Sequence, residues 1–234
     1  MRTKLLGLVI ALGAITFANA SSKLEITDPR AAKIDSIITL PIKGMKAVDS
    51  DGQIVFLSDN GRFVISGQLY DLWSKKPLST ISELQDVAER IHFKNFGMDV
   101  DTLNTVSMGH GKKEVVIFTD PRCDVCRKLI DEAKSLEDEY TFKIIVIPAL
   151  GDESNRLAKA MYCAKDKDKV LGALQSNALE SLAVKTPCDP GQYDQTLLTA
   201  HLIGIEGVPF IVAQDGRISK GRPQNLKAWL ESKQ

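Results

Sequence analysis

The apolar positions of this chain change their period several times. Ile81, Leu84, Val87, Ala88 and Ile91 recur at the spacing of one helix face. Thr80 and Glu83 form a capping box ahead of them, so the pattern predicts a helix over 81–93. Two contiguous runs then replace the helical period. Glu114-Val115-Val116-Ile117-Phe118 and Lys143-Ile144-Ile145-Val146-Ile147-Pro148 read as buried strands. Between them Leu129, Ile130, Ala133 and Leu136 fall at helical spacing among charged residues, so an amphipathic helix joins the two. Strand, helix and strand in that order predict parallel strands with a right-handed crossover. Residues 151–203 read as largely helical. Leu157, Ala160, Met161 and Ala164 share one face, Val170, Leu171 and Leu174 share another, and Pro187 and Pro190 interrupt. Gly207 to Ala213 is a further strand with Pro209 at its start, because proline cannot donate to a sheet ladder. Asp215-Gly216 turns into the antiparallel return Arg217-Ile218-Ser219, and Leu226, Trp229 and Leu230 mark a closing helix.

Ahead of Thr80 the pattern is shorter-ranged. Leu24, Ile26, Ala31, Ile34, Ile37 and Ile38 are spaced around Asp28-Pro29, which can cap and open a helix. Strands are expected over 44–48, 53–58 and 62–68. Asp51-Gly52 marks one turn, and Asn60-Gly61 suits a type I′ hairpin. The segment from Ser21 to Pro77 offers only a small core, and its hairpin leaves a strand edge that a second copy of the chain would cover. Residues 97–113 are polar and contain Gly109-His110-Gly111, which reads as a linker. At the N-terminus Arg2 and Lys4 precede the apolar run Leu5 to Phe17, which is too short to span a bilayer. Ala18-Asn19-Ala20 follows as a small-x-small cleavage signal. A cleavable leader over 1–20 and export to a bacterial periplasm are expected.

Charge narrows the function classes. The leader carries two of the 30 basic residues and none of the 30 acidic ones, so the remaining chain has a net charge of −2. That leaves no electrostatic footprint for nucleic acid.

The chemistry concentrates where the first buried strand meets its helix. Asp120-Pro121-Arg122-Cys123-Asp124-Val125-Cys126-Arg127 places two cysteines at a helix N-terminus. Unpaired backbone N–H groups and the positive end of the peptide dipole stabilise a thiolate there. Two intervening residues let Cys126 fold back over Cys123. A strand, Cys-x-x-Cys and a helix have the layout of a thioredoxin-type redox site. A zinc site needs further ligands. Cys163 and Cys188 lie 25 residues apart, and His92, His110 and His201 show no ligand spacing, so no metal is expected. In an oxidising compartment four cysteines allow three pairings. The local one joins Cys123 to Cys126 as a functional pair and Cys163 to Cys188 as a structural one.

The chain resembles the bacterial periplasmic disulfide isomerases DsbC and DsbG. The resemblance rests on Asp59-Asn60-Gly61, Gly67-Gln68-Leu69-Tyr70-Asp71, Phe118-Thr119-Asp120 with Cys123 and Cys126, Tyr162-Cys163-Ala164-Lys165-Asp166-Lys167, and Gly207-Val208-Pro209. It implies an α+β then α/β architecture: a cystatin-like dimerisation domain over 21–78, a helical linker over 79–113, and a thioredoxin-fold catalytic domain with a helical insertion over 114–234. It further implies a homodimer, a cis Pro209 facing the cysteine pair, a structural Cys163–Cys188 disulfide, and no cofactor. Cys123 is the implied nucleophile and Cys126 the resolving thiol. Val208 and Pro209 are the implied seat for the backbone of misoxidised exported proteins, and a DsbD-type membrane thiol donor is the implied source of electrons. The chain departs from the family at Asp124, Val125 and Arg127, where Gly-Tyr or Pro-Tyr and then His are usual, and at Val208, where Thr is usual. Asp124 disfavours a neighbouring thiolate and Arg122 and Arg127 offset it, so Asp124, Val125 and Arg127 are candidate redox-tuning residues. The expected activity is isomerisation or reduction of incorrect disulfides. A dithiol oxidase built on the same pair and a holdase chaperone are the competing readings.

Overall fold

A computed structural model describes residues 33–232. The first strands are β1 (Ser36–Thr39), β2 (Met45–Ser50), β3 (Gln53–Ser58) and β4 (Val64–Ile65), which form one antiparallel sheet in that order. Ile37 and Ile38 thus belong to a strand and not to a helical pattern. Their burial alternates, with Ile37 exposed and Ile38 packed toward the core. The leader and the Asp28-Pro29 cap lie outside the described residues.

The type I′ geometry sits one turn earlier than the sequence suggests. Asp51 and Gly52 take φ of 52° and 78°, and they form the two-residue connection between β2 and β3. At the second turn only Gly61 is left-handed. Asn60 instead accepts the Arg62 N–H and the Ser58 hydroxyl on its side-chain oxygen, which holds a longer loop. The expected return strand over 62–68 shortens to β4, whose two residues pair with Phe56 and Leu57. A small hairpin follows, β5 (Leu69–Asp71) and β6 (Lys76–Leu78).

Helix α1 (Ile81–Glu89) opens on the capping box of Thr80 and Glu83 and packs Leu84, Ile81 and Val87 onto Leu40, Ala47 and Phe56. It stops before the expected residue 93. Arg90 is extended, the Ile91 N–H donates to the Gly216 carbonyl at 2.8 Å, and the Arg90 guanidinium reaches the Asp215 carbonyl. Tertiary pairing outweighs the helical period here. Residues 91–96 go on to pack Ile91, Phe93 and Phe96 against the core of the second sheet.

That sheet contains β7 (Thr105–Met108), β8 (Lys113–Thr119), β9 (Tyr140–Val146), β10 (Phe210–Val212) and β11 (Ile218–Lys220), ordered β11-β10-β8-β9-β7. β8 and β9 are parallel and the other pairs antiparallel. β7 lies inside the stretch 97–113 expected to be a linker, so that stretch supplies an edge strand of the sheet. Gly111 closes the β7–β8 turn against Glu139 and Tyr140, where a Cβ would sit 2.0 Å from the Glu139 carbonyl carbon.

The two faces of β8 build two cores. Val115 and Ile117 pack with Leu129, Ile130 and Ala133 of α2 (Asp124–Lys134) and with α3 (Asp152–Tyr162). Val116 and Phe118 pack with Phe210 and Val212, under Ala200 of the later helix α5 (Gly191–Leu202). Helix α4 (Asp168–Gln175) completes the insertion and α6 (Leu226–Glu231) closes the chain. Among the described residues no helix is long and apolar enough to cross a membrane.

Candidate active site

Helix α2 begins on Cys123 itself. Cys123 is the N-cap, with extended backbone, and its Sγ accepts the Cys126 N–H at 3.1 Å. A sulfur takes the position usually held by a capping hydroxyl or carboxylate, among N–H groups that have no helical partner. The two cysteines form a disulfide three residues apart. Cys126 is fully buried, Cys123 is 7% exposed, and Val125 on the outside of the turn is 50% exposed.

The turn leading into this cap is held by Asp120, which is 1% exposed. Its backbone carbonyl accepts the Cys123 N–H at 3.1 Å. One carboxylate oxygen accepts the Arg122 N–H and the Ser154 hydroxyl, both at 2.8 Å, and the other accepts the Leu150 N–H at 2.8 Å. The cysteine turn is thereby tied to the loop before α3 and to the first turn of α3. The Asp120–Arg122 contact is an Asx turn, legible in principle from Asp-Pro-Arg-Cys. Ser154 and Leu150 carry no such signal, because their role depends on contacts across 30 or more residues.

Arg127 lies one helical turn past Cys123. It pairs with the Asp124 carboxylate, and its Nη1 donates to the Pro121 carbonyl at 3.2 Å and to the Asn177 side-chain oxygen at 3.5 Å. Asp124 is therefore charge-compensated on the helix surface. Asn177, which the sequence did not single out, has a left-handed backbone with φ 56°.

The Val208–Pro209 peptide is cis. Pro209 is buried, and its carbonyl accepts the Gly221 N–H at 2.8 Å. The next residue, Phe210, pairs with Phe118. Extending that antiparallel register sets Pro209 and Val208 alongside Thr119 and Asp120, at the strand end that leads to Cys123.

Cys163 and Cys188 form the second disulfide. Cys163 ends α3 at the end opposite Ser154, so the two disulfides are separated by a helix about 16 Å long. Around it the Lys165 N–H donates to the Ala183 carbonyl and the Lys185 N–H to the Cys163 carbonyl, both at 2.8 Å. Nearby charges are shifted. Burial pushes the Tyr193 phenol up to about 12, reinforced by Asp194 and Asp120. The Arg156 hydrogen bond holds Glu153 below its ordinary range against the opposing effect of burial, with the charges of Arg156 and Arg122 adding to it.

Comparison with known proteins fits this geometry. The disulfide bond isomerase protein N-terminal domain matches residues 16–83, and the thioredoxin-like domain matches residues 102–234. The chain is 28% identical to the thiol:disulfide interchange protein DsbC of Salmonella typhimurium, over 83% of this chain and 79% of that one. It is 24% identical to DsbC of Dickeya dadantii, over 96% and 92%. A crystal structure of a disulfide interchange protein from Neisseria gonorrhoeae is 24% identical and covers 56% of this chain and 92% of that one, with a TM-score of 0.47. The chain belongs to the thioredoxin-like domain family, carries the disulfide bond isomerase protein N-terminal domain ahead of it, and is similar over most of its length to proteins named thiol:disulfide interchange protein DsbC.

Proposed function

We propose that the chain isomerises or reduces incorrect disulfides in exported proteins, with Cys123 as nucleophile and Cys126 as resolving thiol. The observation that carries this is the Cys123 sulfur on the N-cap of α2, accepting the Cys126 N–H. In the reduced protein that position favours the thiolate.

The Cys123 thiolate attacks one sulfur of a client disulfide. The client S–S bond breaks, a mixed disulfide forms, and the displaced client thiolate takes up a proton. A second client thiolate can then attack its own bound sulfur and release Cys123, which moves the disulfide with no net change in oxidation state. Alternatively Cys126 attacks the Cys123 sulfur and frees the client thiol. The client gains two electrons and the enzyme is left as the Cys123–Cys126 disulfide. A thiol donor must then return two electrons, and a DsbD-type membrane protein fits that role.

Val208 and Pro209, beside the strand end before Cys123, would receive the client backbone as an added strand. Asp124, Val125 and Arg127 would tune the pair: Asp124 opposes the thiolate, Arg127 compensates, and Val125 offers apolar surface. Cys163–Cys188 would be structural, tying the insertion. A dimerisation domain over 21–78 is supported by Phe63, Val64 and Ile65, which are exposed on and beside a strand paired on one side only. A second copy would cover that edge. The segment after α1 would connect it to the catalytic domain, which takes in β7 ahead of residue 114, and the leader over 1–20 would direct the chain to the periplasm.

The test is a Cys126→Ser variant mixed with a misoxidised client. Non-reducing gels should show a mixed disulfide that dithiothreitol dissolves, and that is lost when Cys123 is also changed to Ser. Equal capture by the double variant would contradict the assigned nucleophile.

A further inference from the structure

Thr119 ends β8 and carries a hydroxyl that the exchange chemistry so far leaves unused. The residue is 1% exposed, and its hydroxyl oxygen has no hydrogen-bond partner among the described residues. A buried hydroxyl in that state is costly, and beside a reactive group it points to a partner that another state of the protein supplies. Strand alternation fixes which way it faces. Val115 and Ile117 meet α2 while Val116 and Phe118 meet the opposite core, so Thr119 falls on the α2 side. Its neighbour across the sheet agrees, because Thr119 pairs with Val146, which belongs to the α2-side core. On α2, Cys126 shares the buried face with Leu129, Ile130 and Ala133. Only a short turn separates the end of β8 from the start of α2, and the Cys123 N–H closes it on the Asp120 carbonyl at 3.1 Å. Thr119 and Cys126 therefore occupy the first layer of one strand–helix interface, with the hydroxyl unpartnered and the sulfur committed to Cys123.

We propose that, once the disulfide opens, Thr119 donates its hydroxyl hydrogen to the Cys126 sulfur, and that this bond biases the pair toward the dithiol form that attacks clients. The proposal rests on the thiol-exchange reading of Cys123 and Cys126. Reduction releases the Cys126 sulfur from Cys123, and rotation about χ1 can then turn it toward the end of the strand. The dithiol holds one buried hydrogen bond that the disulfide lacks, and the disulfide carries the orphaned hydroxyl. Both differences act in the same direction, so the equilibrium moves toward the reduced pair. That is the form an isomerase must keep at rest, since Cys123 has to meet a client disulfide as a thiolate. Thr119 touches no client and acts through Cys126, which makes it a positioning residue.

The test equilibrates the protein with graded ratios of reduced and oxidised glutathione and reads the fraction of Cys123–Cys126 disulfide by alkylation and mass spectrometry. Two glutathione thiols supply the two electrons that open the bond and leave as one glutathione disulfide, so the exchange balances. Thr119→Val keeps nearly the same shape and removes the hydroxyl. It should favour the disulfide about tenfold over wild type, the effect of one buried hydrogen bond, which is about 30 mV for a two-electron couple. Thr119→Ser restores the hydroxyl and should recover most of the shift. The oxidised Thr119→Val protein should melt no lower than wild type, because it loses an orphaned polar group. A merely structural hydroxyl would instead lower that melting point and leave the equilibrium alone. An unchanged equilibrium in Thr119→Val, a shift toward the dithiol, or a Thr119→Ser variant that behaves like the valine one would overturn the role of Thr119 alone. A wild-type pair that glutathione reduces at no ratio would overturn the thiol-exchange reading, and this inference with it.

Discussion

The two disulfides are built for opposite ends. Cys123–Cys126 closes a span of three residues at the head of a helix, where its first sulfur takes an N–H that the helix leaves free. Cys163–Cys188 closes a span of 25 residues and joins the end of α3 to the segment before α5, with backbone hydrogen bonds alongside it. On the loop-entropy model the three-residue link restrains the unfolded chain by about 1.6 kcal/mol, less than half of the longer link's roughly 3.5 kcal/mol. On the proposed reading the first bond opens and recloses in each cycle. The second holds the insertion whose α3 and post-α4 segments flank the first turn of α2. One helix connects them, with Ser154 on the Asp120 carboxylate at its start and Cys163 at its end.

Removing each bond should therefore give opposite signatures. Cys123→Ser should abolish disulfide exchange and cost at most about 1.6 kcal/mol of the oxidised protein's stability on the loop-entropy model. Replacing Cys163 and Cys188 together by Ala should cost about 3.5 kcal/mol of stability on the loop-entropy model, while the folded fraction keeps its exchange rate. Chemical denaturation and a peptide-disulfide assay on the same samples separate the two, and identical stability losses would erase the distinction. A finer break is Asp120→Asn. The carboxylate meets backbone N–H groups on both oxygens, so an amide, whichever way it is turned, must face one of them with its own N–H. The loss should be about 2 kcal/mol. A change too small to measure would mean that the cysteine turn holds its shape without this anchor.

The parts that follow a local period were legible in the sequence. β8 covers the expected run and extends one residue at each end, the following helix carries Leu129, Ile130 and Ala133 on its buried face, and the parallel β8–β9 pair follows from the strand–helix–strand order. What escaped was set by distant partners. α1 stops short of 93 because Ile91 bonds to Gly216, which no periodicity within the helix can show. β7 was read as linker because Thr105-Val106-Ser107-Met108 is short and half polar, and its strand character comes from pairing with β9. The type I′ turn falls at Asp51-Gly52 and not at Asn60-Gly61 because both dipeptides suit it, and loop length decided between them. At the site, the cysteine pair could be read from its spacing. Ser154, Leu150 and Asn177 could not, since each contributes through a fold contact and not through a motif.

The central claim is that a helix-capping sulfur at Cys123 moves disulfides in other proteins. The most direct measurement is recovery of activity from scrambled, fully oxidised ribonuclease, with the pre-reduced protein as the only thiol catalyst. The account predicts recovery that depends on Cys123 and is indifferent to removal of the Cys163–Cys188 bond at temperatures where that variant stays folded. No recovery, together with efficient oxidation of reduced ribonuclease by the disulfide form, would contradict it and make the protein an oxidase.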